Sequence, residues 1–229
     1  MNFQWLKTDV ETPIVELRRY RLHPGKREAL IGLFEERFIE PQEAVGAKVL
    51  GTFRLETDPD SFTWLRGFTH MGARKAALGA FYDGAVWQAN RDAANATMID
   101  SDDVHLLRAI APEGGLPAEA RLPRTSEWAP AIRYTLLLSE LRYPEWVGQY
   151  HLWLRLFLRK AGADPLASFA TLPAENNFPQ LPVWANRHVH LAVLKSAAPV
   201  PELPVELRSM LRREPERLVV SPTARSRLR

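Results

Sequence analysis

Ile14-Val15-Glu16-Leu17-Arg18-Arg19-Tyr20-Arg21, followed at once by His23-Pro24-Gly25, decides how this chain must be read. Apolar and polar side chains alternate, so the segment is a strand with two unlike faces, and the Pro-Gly pair stops it. Pro24 sits where a helix can begin. From there Leu30, Ile31, Leu33, Phe34 and Phe38 recur at helical spacing as far as Pro41, which the pattern predicts as the end of one amphipathic helix.

Outward from this unit come two strands, 48–56 and 62–69, joined by the turn residues Thr57-Asp58-Pro59-Asp60-Ser61. A helical region over 73–98, broken at Asp83-Gly84, leads into a strand at 104–110. Pro112-Glu113-Gly114-Gly115-Leu116-Pro117 then opens a stretch rich in breakers and poor in periodicity. Beyond it the order recurs: strand 132–140, helix 144–160, strands 166–172 and 187–195, helix 205–213, strand 217–221. The fold class read from this is α+β, two tandem ferredoxin-like (βαββαβ) repeats whose antiparallel sheets form one α/β barrel. Residues 1–111 form the first repeat, 112–129 a Pro/Gly-rich linker, and 130–229 the second repeat. The arginines at 208, 212, 213, 217, 225, 227 and 229 read as an exposed helix and a frayed basic tail.

Composition narrows the classes of function. A chain of 229 residues, 46% hydrophobic and 25% charged, is ordinary globular material. Its net charge is only +3, with acids interleaved among the arginines, so no basic stripe for nucleic acid is expected. With no cysteine, thiolate chemistry and cysteine-ligated metals are out. No leader pattern and no apolar run of about 18 residues is found, so no membrane insertion and a cytoplasmic location are expected. Walker, Gly-x-Gly-x-x-Gly, Gly-x-Ser-x-Gly and His-Glu-x-x-His motifs are lacking, and no cofactor is assigned.

Strand alternation assigns faces. With Val15 and Leu17 toward the helices, Glu16, Arg18 and Tyr20 fall on the barrel side. By the same rule Trp64, Arg66 and Phe68 join them, opposite Leu65, as do His188 and His190, opposite Val189, Leu191 and Val193. His105 and Tyr134 complete this lumen set. Enclosed charges must be paired or wet. Two readings follow. Either Glu16 with Arg18 or Arg66 is an ion pair holding the sheets in register, or arginine binds an anionic or enolisable oxygen while histidine or tyrosine moves a proton. His188 and His190 lie about 6.6 Å apart on one strand face, a spacing that can chelate an ion, but the pair alone does not make a site, and no metal is assigned.

Trp87, Arg91 and Asn95 form one helical stripe. It either closes a mouth of the cavity, with Arg91 reaching a carboxylate, or packs Trp87 on the sheet beneath Arg91. The loop 173–186, carrying Glu175, Asn176, Asn177 and Phe178, is long for a hairpin and reads as a lid over the pocket or as a crossover at a contact between copies. Helix 144–160 has a broad apolar face and, beyond it, Leu152 and Leu156 with no use inside one chain. These predict a homo-oligomer.

Glu16-Leu17-Arg18-Arg19-Tyr20 with Pro24-Gly25, Trp64-Leu65-Arg66-Gly67-Phe68, Phe81-Tyr82 with Trp87, Arg91 and Asn95, and Asn176-Asn177-Phe178-Pro179 with Leu181-Pro182-Val183 resemble the NIPSNAP family, within the larger group of dimeric α/β-barrel proteins. The resemblance spans 14–223. It implies the barrel, and through the larger group it implies small-molecule chemistry of the kind done by metal- and flavin-free monooxygenases, haem-handling enzymes and isomerases. The expected protein therefore binds a small apolar or aromatic metabolite in the barrel. If an enzyme, it is a cofactor-independent oxygenase or isomerase in which Arg18 and Arg66 stabilise an oxyanion, His188 or His190 is the base and Tyr20 orients. Glu16, Trp64, Phe68, Trp87, Arg91, Tyr134 and Asn177 line the pocket. The alternative is a non-catalytic binding or scaffold protein that acts by oligomerising and recruiting partners.

Overall fold

Each alternating stretch becomes a strand, and the helical stretches pack outside the strands. The computed structural model describes residues 11–111, 113–116, 120–121, 123, 132–195 and 200–228. The elements are β1 (Ile14–Leu22), α1 (Arg27–Leu33), α2 (Ile39–Ala44), β2 (Lys48–Leu55), β3 (Ser61–Phe68), α3 (Met71–Tyr82), α4 (Ala85–Asn95), β4 (Met98–Ala109), β5 (Tyr134–Glu140), α5 (Val147–Lys160), β6 (Pro165–Thr171), β7 (Val189–Lys195), α6 (Val205–Ser209) and β8 (Glu216–Pro222). The strands close into an antiparallel eight-stranded barrel in the order β1-β3-β2-β8-β5-β7-β6-β4. Most of the expected linker lies outside the described residues.

The expected helix stop at Pro41 does not occur. A π-helical turn, Phe34–Phe38, joins α1 to α2 without a break. Pro41 follows directly on that turn, whose wider i→i+5 winding leaves room for the ring where a regular α-turn would clash with it. The break at Asp83-Gly84 does separate α3 from α4. A Cβ on Gly84 would stand 2.8 Å from the Ala80 carbonyl oxygen, so the corner requires glycine.

The alternation is real, but the faces are the reverse of those expected. Val15, Leu17, Phe53, Leu65, Leu107, Leu136, Leu138, Phe169, Leu191, Val193 and Val220 form one buried cluster with members from all eight strands, which only the barrel interior permits. Glu16, Arg18, Tyr20, Trp64, Arg66, Phe68 and His190 therefore point outward, beneath the helices. The physical reason is room. Eight strands leave an interior just wide enough to be filled by side chains, and branched aliphatics fill it dry. Glu16, Arg18 and Arg66 lie where helix and loop side chains can meet them, while Arg19, on the inward face, is matched at the barrel's end by Asp103 and Glu216. Among the residues expected in the lumen, Tyr134 does point inward, against Phe53 at 6.2 Å between ring centroids. His105 stands opposite Leu17 and shares its inward face.

The two seams β2–β8 and β4–β6 are short, with three registered pairs each. Past the first, the chain does not fray as expected. Ser226 Oγ accepts from the Thr52 N–H at 3.2 Å, Thr223 Oγ1 donates to Glu35 at 2.6 Å, and Arg227 pairs with Glu43 at 3.0 Å. Leu228, 2% exposed, joins the interior cluster. We predict that Leu228→Ala lowers the unfolding free energy by about 2–3 kcal/mol in a urea titration; a change under about 0.5 kcal/mol, the size of an ordinary surface substitution, would show that the tail contributes nothing.

Candidate functional site

The first half of the barrel carries a buried carboxylate held by three guanidiniums. Glu16 stands directly opposite Arg66 in the β1–β3 register, and Arg18 is two residues along on the same face. Glu16 Oε2 accepts from Arg18 Nη1 at 3.0 Å and from Arg66 Nη2 at 2.6 Å, while Oε1 accepts from Arg74 Nε at 2.7 Å. Arg74, on α3, is fully buried. Burial pushes the Glu16 carboxyl up, but Arg66, Arg18 and Arg74 more than offset it and hold the carboxyl well below the usual range. Burial works against the charge on Arg18, yet the Tyr20 oxygen and Glu16 outweigh it and raise its pKa.

The remaining donors are distributed around this centre. Arg18 Nε donates to Tyr20 Oη at 3.0 Å, and Arg66 Nη1 to Gln42 Oε1 at 2.9 Å. Arg66 also lies 5.1 Å from the Trp64 ring centre and 5.6 Å from that of Phe68, so aromatic faces hold part of the positive excess. Tyr20, Phe34, Phe38, Trp64, Phe81, Tyr82 and Trp87 form an aromatic box under α1, α3 and α4. They line a cavity of about 30 Å³ with Trp64 Nε1 unpartnered, room for roughly one water molecule.

Arg74 connects this cluster to a larger space. Its Nη1 donates to Asn176 Oδ1 at 3.1 Å and Asn177 Oδ1 at 2.7 Å, and Asn177 Nδ2 returns to the Met71 carbonyl at 2.7 Å. The 173–186 loop is thereby fixed to α3. Beneath it lies a groove of about 570 Å³, floored by Leu106 and Ala170, walled by Leu141, Pro144, Val147, Leu172 and Val183, with Asn176 and His188 on its polar rim. The groove is outside the barrel, over the β4–β6 seam.

Of the residues singled out from sequence, Glu16, Arg18, Tyr20, Trp64, Arg66, Phe68 and, through Arg74, Asn177 are brought together, with Trp87 packed at the edge 5.4 Å from the Phe38 ring. Arg91 is exposed on α4 beside Asp92 and meets none of them. The histidines are parted from the arginines, which corrects the expectation that one lumen gathers them: His188 faces the groove, and His190 packs under α5. His151 Nε2 lies 3.0 Å from the Ala111 carbonyl, which can only accept, so that nitrogen carries the proton. Its Nδ1 then accepts from His190 Nε2 at 3.1 Å, leaving His190 Nδ1 a bare, buried acceptor. Among the described residues no group of three or more His, Asp or Glu is arranged to hold a metal ion. Arg74 and Gln42 carry no motif in the sequence, and His151, expected to flank the exposed leucines of α5, is instead buried. Arg74 carried a usable signal, because it shares one helical stripe with Ala77, Leu78 and Phe81.

Residues 15–112 match the NIPSNAP family model. Over that segment the chain is similar to NIPSNAP proteins. A NIPSNAP family protein from Agrobacterium tumefaciens is 24% identical over 42% of this chain and 83% of its own, with a TM-score of 0.39. Provisionally assigned monooxygenases from Fusobacterium nucleatum and Lactobacillus acidophilus superimpose over 92% and 93% of this chain and 92% and 94% of theirs, at 8% and 14% identity and TM-scores of 0.55 and 0.53. These last two share the fold across both halves. No curated protein matches the chain at a significant level. The matched segment contributes β1 to β4 and the whole guanidinium cluster, whereas most of the groove's lining comes from the residues after it. Among the described residues no helix is long and apolar enough to cross a membrane.

Two measurements test this account. Glu16→Gln leaves three buried guanidiniums without their carboxylate and is expected to cost about 3–5 kcal/mol of stability, whereas Arg91→Ala stays within about 0.5 kcal/mol; equal effects would refute the central role of Glu16. For pH, burial lowers His105 to about 4 despite Asp103, lowers His190 well below the ordinary value, and lowers His151 despite Glu113. The unfolded chain takes up protons below about 6.5 and the folded chain does not, so stability falls as pH drops from 7.5 to 5.5, by at most about 1.4 kcal/mol per unit per histidine. Glutamates, with an unfolded value of 4.5, barely contribute in that window. Equal urea midpoints at pH 7.5 and 5.5 would contradict the neutral, buried histidines.

Proposed function

We propose that this protein binds a small, largely apolar or aromatic molecule, and that the binding site is the groove under the 173–186 loop. The observation that carries the reading is that groove itself: about 570 Å³, mostly aliphatic, with Asn176 and His188 on its rim. Its volume falls within the ordinary range for small-ligand sites. The expected location inside the barrel gives way, because the inward-facing side chains already pack against one another.

On this reading the guanidinium cluster is the site's foundation. Its outlying member, Arg74, holds Asn176 at the groove's rim and Asn177 beside it. Oxygenase or isomerase chemistry without a cofactor begins, on this reading, with His188 taking a proton from carbon beside a carbonyl, the C–H bonding pair becoming a carbon–carbon double bond and the carbonyl π pair moving onto oxygen to give the enolate. The fold shared with the provisionally assigned monooxygenases is compatible with this chemistry, while the residues that would perform it are this chain's own. We also read the chain as two ferredoxin-like repeats, 1–111 and 130–229. In support, the strand order within each half is the same, β4-β1-β3-β2 and β8-β5-β7-β6.

N-phenyl-1-naphthylamine, a neutral apolar fluorophore, is expected to bind the full chain saturably at one site and to raise the melting temperature. Ala170→Leu, which fills the groove floor, abolishes this, and Arg74→Gln, which frees the loop, weakens it severalfold. Absence of saturable binding, or binding indifferent to Ala170→Leu, overturns the assignment.

A further inference from the structure

We propose that α5, with the 3₁₀ turn Pro144–Trp146 that leads into it, pairs antiparallel with the same elements of a second copy through the stripe Glu145, Gln149, Leu152, Leu156 and Arg159. The inner side of this helix is already occupied, with Tyr150, Leu154 and Leu158 buried against the sheet and α6. Its outer side is not polar: Leu152 is 48% exposed and Leu156 64%. From 145 the stripe steps by four, three, four and three residues. That is the seam along which two helices interlock at about 20°. An ordinary solvated face would place charge where the two leucines stand.

Charge selects the occupant. Glu145 marks the N-terminal end of the stripe, and Arg159 and Lys160 the C-terminal end. Among the described residues neither Glu145 nor Lys160 has an ion-pair partner, and Arg159 holds only the exposed Asp164 at 3.0 Å. A second copy related by a two-fold axis near Leu152 and Trp153 sets each Glu145 against the other copy's Lys160 and Arg159, brings the two Leu152 side chains together beside the axis, and lays each Leu156 over the other copy's Gln149. Parallel pairing would stack like charge on like. The interface is self-complementary, as two-fold symmetry demands. Between α5 and α6 a hollow of about 390 Å³, lined by Trp146, Trp153 and Met210 among others, adjoins the stripe and can receive a leucine of the second copy.

Sedimentation equilibrium of the full chain over a concentration series tests the pairing. A concentration-dependent dimer is expected. Leu152→Glu with Leu156→Glu raises the dissociation constant at least about 30-fold. Glu145→Lys alone, or Arg159→Glu with Lys160→Glu, raises it about tenfold, and combining all three charge reversals restores wild-type association. All these positions are exposed, and circular dichroism confirms folding of each variant. A monomer at every concentration, a dimer untouched by the leucine changes, or failure of the combined reversal to restore association each overturns the proposal. So does a monomer that co-sediments with 3:1 phosphatidylcholine:phosphatidylserine vesicles, which would assign the face to a lipid surface instead.

Discussion

A carboxylate removed from water must be met by cations or give up its charge, and Glu16 is met by three. The first half of the molecule is arranged around that requirement. Arg66 comes from the neighbouring strand in register, Arg18 from the same strand face, and Arg74 from a helix laid across both. Each guanidinium then spends its other donors on a different element: Tyr20 on β1, Gln42 on α2, and the asparagines of the 173–186 loop. One buried charge thus ties sheet, helices and loop into a unit. Removing a single partner leaves the others uncompensated, which makes such clusters costly to alter.

The loop's attachment explains why the groove exists at all. The loop is held over the β4–β6 seam because Arg74 and the Met71 carbonyl bind its asparagines, while Trp184 Nε1 donates to Asp103 at 2.8 Å. Held at both ends, it roofs the aliphatic floor without collapsing onto it. Apolar walls with a few fixed polar groups are what small-molecule sites generally share.

Period-two alternation in the sequence told that β1, β3 and β7 have unlike faces, and the clustering of Glu16, Arg18, Tyr20, Trp64 and Arg66 followed from it. Which face is inner could not be read. Alternation is symmetric between the two sides of a sheet, and only the closure of eight strands decides that the aliphatic set has nowhere better to go. The gathering of histidines with arginines failed for a related reason: residues on one face of a sheet need not be near one another once that face wraps around a barrel. Arg74 was hidden by its type, since an arginine on a helix normally reads as solvated, and only its place in a buried stripe betrays it. The helix running through Pro41 was hidden because a π turn leaves no plain residue signature.

The order of strands has a consequence for how this molecule comes into being. The first sheet, β4-β1-β3-β2, is complete once residue 109 has been made, but its aliphatic side has no cover until the second sheet arrives. The partner of β2 is β8, the last of the eight to leave the ribosome. For the time needed to translate residues 110 to 222, Val15, Leu17 and Leu65 face solvent or a chaperone, and β2 offers an open edge. Synthesis of the second half is therefore the interval in which an aliphatic sheet face and an unpaired strand edge are open to misassembly.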